Sequence, residues 1–98
     1  MDKFQTLYEQ LATNVIDPSK LTKKSTDKEM LRLAIQAEYD AVNLYEQMSE
    51  TTSNSKIRKI MLDVAREEKV HIGEFEELLR QVDDEQERAL SDGAEEVG

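Results

Sequence analysis

Apolar side chains recur along most of this 98-residue chain at alternating steps of three and four. In its second half Ile57, Met61, Val64, Glu68, His71, Phe75, Leu78 and Val82 fall on one seam of a helix. Earlier, Leu31, Ile35, Glu38, Val42 and Tyr45 keep the same rhythm, with Ala34 and Ala41 beside them. The period predicts two long helices, over about residues 26–50 and 54–82. Thr26-Asp27-Lys28-Glu29 has the form of a capping box at the first start. Residues 51–55, all small and polar, leave room only for a tight connection, so the helices are expected to form an antiparallel hairpin.

Shorter elements flank the hairpin. Phe4, Leu7, Tyr8, Leu11 and Val15 predict an amphipathic helix that ends before Asp17-Pro18, followed by a polar linker to residue 25. Asp83-Asp84 with Glu87 suits the start of a last short helix, whereas residues 91–98 are acidic, contain two glycines and read as an unstructured tail or linker. The chain therefore divides into residues 1–25, 26–82 and 83–98. With two Phe, three Tyr, no Trp and an abundance of Ala, Leu, Glu, Lys and Gln, the expected fold class is all-α.

Three polar groups interrupt the two stripes: Glu38 in one, Glu68 and His71 in the other. Burying a carboxylate without a partner costs several kcal/mol, so a positive charge is expected between them. Antiparallel helices joined near residue 53 place residues equidistant from the turn side by side, and reflecting 38 through 53 gives 68. Glu38 and Glu68 should face one another, with His71 one turn along and Tyr45 about two turns nearer the tip. A hairpin leaves half of its seam open, and a 98-residue chain buries only a modest core, so a partner is expected to cover it. If that partner is a second copy on a two-fold axis, the shared site holds four Glu and two His, the ligand set of ferritin-like di-iron carboxylate bundles. Four carboxylates balance two divalent ions, and carboxylate mixed with imidazole suits iron(II), manganese or zinc.

Charge and composition narrow the choice. A formal net charge of −9 argues against nucleic acid and against an anionic membrane surface, and suits attraction of cations. Without Cys, thiolate zinc, iron–sulfur and disulfide chemistry are excluded. No run reaches the apolar length of a membrane span and the start lacks the pattern of a secretory signal, so a cytoplasmic setting, or a compartment reached from the cytoplasm, is expected.

Each motif also has a plainer reading. Glu68-x-x-His71 alone is a short, unspecific pattern, and a buried polar layer can merely set the register of a helical oligomerisation module. A structural zinc or manganese site without turnover is a third possibility. Tyr45 reads as a packing residue near the site; Asp40 and Glu67 sit beside the ligand positions and read as solvated or supporting groups. Gly73 in mid-helix either permits close approach of a neighbour or is simply tolerated.

The stretch Ala34-Ile35-Gln36-Ala37-Glu38-Tyr39-Asp40-Ala41-Val42-Asn43-Leu44-Tyr45-Glu46-Gln47, followed by Arg66-Glu67-Glu68-Lys69-Val70-His71, closely resembles the encapsulated ferritins over roughly residues 30–82. The resemblance implies half-ferritins: each chain a hairpin, two chains completing a four-helix bundle with a di-iron ferroxidase centre, two iron ions per subunit pair, and pairs assembling into a ring, typically a decamer. It further implies work inside an encapsulin nanocompartment, where iron(II) is oxidised by dioxygen and ferric mineral accumulates. Carried over by position, Glu38, Glu68 and His71 are the catalytic metal ligands and Tyr45 the nearby aromatic. Where some members carry an outer acidic pair that admits iron, this chain has Ala37 and Asp40, so one acid remains. A shell-docking peptide is not recognisable in residues 91–98, which fits either a domain of an encapsulin fusion or another mode of docking.

Overall fold

The computed structural model describes residues 26–98, so the helix and linker expected over residues 1–25 lie outside the described residues. Three helices follow one another: α1 (Thr26–Thr51), α2 (Ser55–Val82) and α3 (Gln86–Val97), with no strand among the described residues. The first two form the expected antiparallel hairpin, and among the described helices α3 packs sparingly, on α2.

The turn between α1 and α2 is built from side chains that replace missing helix partners. Asn54 caps α2, its carboxamide oxygen accepting from the backbone N–H groups of Lys56 (2.9 Å) and Ile57 (3.2 Å). The Thr52 hydroxyl accepts from the Asn54 N–H at 3.1 Å. Arg58, one turn into α2, reaches back and donates to the carbonyls of Ser49 (3.0 Å) and Thr52 (2.6 Å). A cation on the orphan carbonyls at the end of α1 also opposes the negative end of that helix's dipole. These bonds tie the two helices together at the tip.

The buried apolar residues among those described are Ala41 and Val42 on α1 with Ala65, Ile72 and Leu79 on α2. The last three are spaced by seven, so the intrachain seam of α2 runs one residue beside the stripe read from the sequence. That stripe flanks the core instead of forming it: Ile57, Leu78 and Val82 are exposed, while Met61, Val64 and Phe75 are half-buried. Apolar residues cover an arc of α2 wide enough for two close neighbours, and among the described residues only α1 packs along its length. On α1, Val42 is buried as the stripe predicts, and Leu31, Ile35 and Tyr45 are half-buried.

At the open end of the hairpin Asp83 closes α2 and starts α3. Its backbone N–H donates to the Leu79 carbonyl (2.9 Å), its carboxylate accepts from the Glu85 N–H (3.1 Å), and its other oxygen accepts from Arg32 of α1 (2.9 Å). The Glu85 N–H and the Arg32 guanidinium outweigh the opposing effect of burial and hold the Asp83 carboxyl below its ordinary value. Residues 91–98, expected to be unstructured, are instead helical as far as Val97. Ala89, Leu90, Ala94 and the glutamates favour helix, and the Asp83 turn supplies a start.

Two outcomes are expected. Asn54→Ala removes the cap of α2 and should lower stability by about 1 kcal/mol in urea unfolding; no measurable change would show that the tip is held by Arg58 alone. The stabilisation from Asp83 is complete above the carboxyl's unfolded value of about 3.9 and is lost as the pH falls through the lower folded value. An acid-side step in thermal stability should therefore be present in the native chain and absent in Asp83→Asn; identical profiles would refute the assignment.

Candidate metal centre

Halfway along the hairpin, Glu38 of α1 meets Glu68 and His71 of α2, each offering a ligand atom within 4.8 Å of the others. Side chains of a helix lean toward its N-terminus, so in an antiparallel pair His71 leans toward the tip while Glu38 leans away from it. That lean brings groups one turn apart in height together: His71 Nδ1 lies 3.6 Å from Glu38 Oε2 and 3.5 Å from Glu68 Oε2. Both gaps are long for hydrogen bonds. They suit neighbouring ligands that each sit about 2.1 Å from one shared ion.

The carboxylates are mostly covered, with 16% of the Glu38 side chain and 18% of the Glu68 side chain exposed, whereas His71 is 47% exposed. Glu38 Oε2 is fully buried and has no hydrogen-bond partner. An orphaned carboxylate oxygen in a native core calls for an unseen partner, and a divalent cation held with Glu68 and imidazole nitrogen meets the need. The donor set, two hard oxygens and one nitrogen with an open side, fits iron(II), manganese or zinc better than an all-oxygen cation site.

Of the residues singled out from the sequence, Glu38, Glu68 and His71 are brought together. Asp40 and Glu67 are not members of the cluster. Tyr45 is half-buried on the Glu38 stripe, two turns nearer the tip. Sequence reasoning passed over Lys69, whose ammonium lies 3.2 Å from Glu46 and bridges the helices. It also missed the pairing of Arg32 with Asp83; the signal for it was a basic and an acidic residue near the open ends of the hairpin.

A helical hairpin that presents Glu on one helix to Glu-x-x-His on the other has half of the side-chain pattern found in ferritin-like carboxylate bundles. Residues 29–97 match the Rubrerythrin family. The crystal structure of an encapsulated ferritin domain from Pyrococcus furiosus superposes with a TM-score of 0.76 at 50% identity, covering 84% of this chain and 89% of that one. A ferritin-like–encapsulin shell fusion protein of the same organism is 59% identical over 69 residues, 70% of this chain and 20% of that protein. The encapsulin nanocompartment cargo protein EncC of Myxococcus xanthus is 39% identical over 71 residues, 69% of this chain. The chain belongs to the rubrerythrin family, as a member of its encapsulated ferritins, and its fold is ferritin-like. It spans 20% and 55% of the lengths of these two curated relatives.

Replacing Glu38 by Gln keeps the shape and removes the buried charge, so the metal-free variant should melt at or above the native temperature. Stabilisation by added iron(II) or zinc should fall steeply in the variant, because the folded state loses a ligand. Equal metal-induced shifts in melting temperature for both chains would remove Glu38 from the centre.

Proposed function

We propose that the chain is a ferroxidase subunit that oxidises iron(II) with dioxygen and feeds iron mineral to an encapsulin nanocompartment. The observation that carries this reading is the buried, unpartnered oxygen of Glu38 beside Glu68 and His71 on the open flank of the hairpin. The exposed apolar residues Ile57, Leu78 and Val82 lie along the flank that also carries His71, so one covering surface would shield them and close the site. A second copy turned about a two-fold axis brings another Glu38, Glu68 and His71 to the same place, completing four carboxylates and two imidazoles for two ions. Pairs assembling into a ring agree with the resemblance, and work within a shell agrees with the names of the relatives, one a shell fusion and one a shell cargo.

In this reading iron(II) is the substrate, and the bound pair supplies the electrons that reduce dioxygen. Glu38 and Glu68 compensate the charge of the ions and can bridge them, since each carboxylate has two oxygens. His71 fixes one ion by its nitrogen while its exposed edge faces the covering subunit. The apolar residues on either side exclude water and so strengthen the carboxylate–cation attraction. The negative charge of the chain raises the local concentration of iron(II).

Oxygen uptake after anaerobic loading with ferrous iron tests the proposal, with a rate well above that of buffer expected. Glu38→Ala and Glu68→Ala should each bring the rate to the buffer level while leaving the circular dichroism of the hairpin unchanged. Uptake at the buffer rate by the native chain would sink the ferroxidase. Retention of a zinc or manganese ion by that inactive chain would point to a structural site instead.

A further inference from the structure

The face of α1 turned away from α2 is apolar where a solvated helix would be charged. Leu33, Ala37, Asp40 and Leu44 follow one another at steps of four, three and four, roughly 140–180° about the axis from the buried Val42. The corresponding line on α2, counted from the buried Ile72, is Asp63, Glu67, Val70 and Glu74. All four of these are exposed, Val70 by 57%, whereas all four on α1 are half-buried. Both lines hold the same place on their helices, so neighbouring turns shade them alike. The difference calls for a cover on α1. Among the described helices α1 packs on α2 alone, so no described element lies on this face.

Residues 1–25, outside the described residues, join α1 at Thr26. Within them Phe4, Tyr8, Leu11 and Val15 stand at steps of four, three and four, with Leu7 beside them. Set antiparallel to α1, that line matches the outer face residue for residue: Val15 at Leu33, Leu11 at Ala37, Tyr8 at Asp40 and Phe4 at Leu44. As helices the two lines have one length, about 17 Å. The match sets a large side chain over the small Ala37 and places the only hydroxyl of one line opposite the only carboxylate of the other. From the height of Leu33 back to Thr26 is about 10 Å of helix. The ten residues 16–25 can span roughly three times that distance, so the connection closes without strain.

We propose that residues 4–15 dock as a helix along the outer face of α1 of their own chain. Phe4, Leu11 and Val15 then cover Leu44, Ala37 and Leu33, and the Tyr8 hydroxyl donates to the Asp40 carboxylate. A carboxylate within an apolar line thereby gains a donor in place of water. Glu38 lies on another side of α1, toward α2, so the flank that bears the metal cluster stays open to a second copy. The contact is independent of the ferroxidase reading.

The chain contains no Cys, so paired cysteines report on this contact alone. Oxidation of the full-length chain carrying Leu11→Cys with Ala37→Cys should close a disulfide within one chain, seen on a denaturing gel as a single-chain band whose mobility changes on reduction. Leu11→Cys with Val70→Cys, on the outer face of α2, should stay reduced. Two linked chains in the first variant would seat the segment on another copy, and no disulfide would leave the face to some other occupant; either result overturns the docking. Hydrogen exchange read by mass spectrometry gives a second measure. Amides of residues 4–15 should exchange at least tenfold more slowly than in an unstructured peptide, and Leu33→Ser with Leu44→Ser should abolish that protection while residues 55–82 exchange as in the native chain. Tyr8→Phe should reduce it several-fold. Unprotected amides in the native chain, or protection that survives the double substitution, would refute the contact. Stabilisation by iron(II) should be retained in the double variant, so failure here and failure of the metal centre are distinguishable.

Discussion

A carboxylate that is buried and unanswered constrains everything else in this molecule. Glu38 Oε2 has neither water-facing area nor hydrogen-bond donor; His71 Nδ1 lies 3.6 Å from it, and Glu68 belongs to the same cluster. Burying such a group without a partner is costly, and a cation shared with Glu68 and His71, as proposed, would offset that cost provided both helices of the hairpin keep their register. The hairpin accordingly spends its polar side chains on register. Asn54 and Arg58 fix the tip, Lys69 bridges the middle, and Arg32 with Asp83 closes the far end.

The hairpin and the convergence of Glu38, Glu68 and His71 were legible because both rest on periodicity. An interrupted stripe names the polar residues, and reflection through a short turn pairs them; neither step needs any knowledge of packing. Glu38, Glu68 and His71 were therefore identified from spacing alone, and their convergence follows from helix geometry. The phase of the core was less legible. Ala65, Ile72 and Leu79 carry little more apolar signal than Val64, His71 and Leu78 one residue away, and α2 is apolar over both arcs. Which arc meets α1 is decided by side-chain volume: small Ala41 and Ala65 allow the helices to approach closely, and the bulkier seam is left to the flank.

The tail was misread for a different reason. Two glycines and a run of acids resemble the composition of unstructured segments, yet Gly93 stands among Ala, Leu and Glu that favour helix, and the Asp83 turn removes the penalty of starting one. Long-range polar contacts were beyond reach altogether. Arg32 and Asp83 are separated by 51 positions, and their pairing depends on the lean of each side chain along its helix.

Hairpins tied at the tip, the middle and the open end cannot slide. A ligand moved along either helix by a single position would rotate by about 100°, away from its counterparts, so ligand positions can migrate only by whole turns of three or four residues. Drift in the identity of the ligands is thus possible in small steps, but drift in their location is quantised. The spacing between Glu68 and His71, one such turn, is the smallest that keeps two side chains of one helix side by side, 3.5 Å apart here.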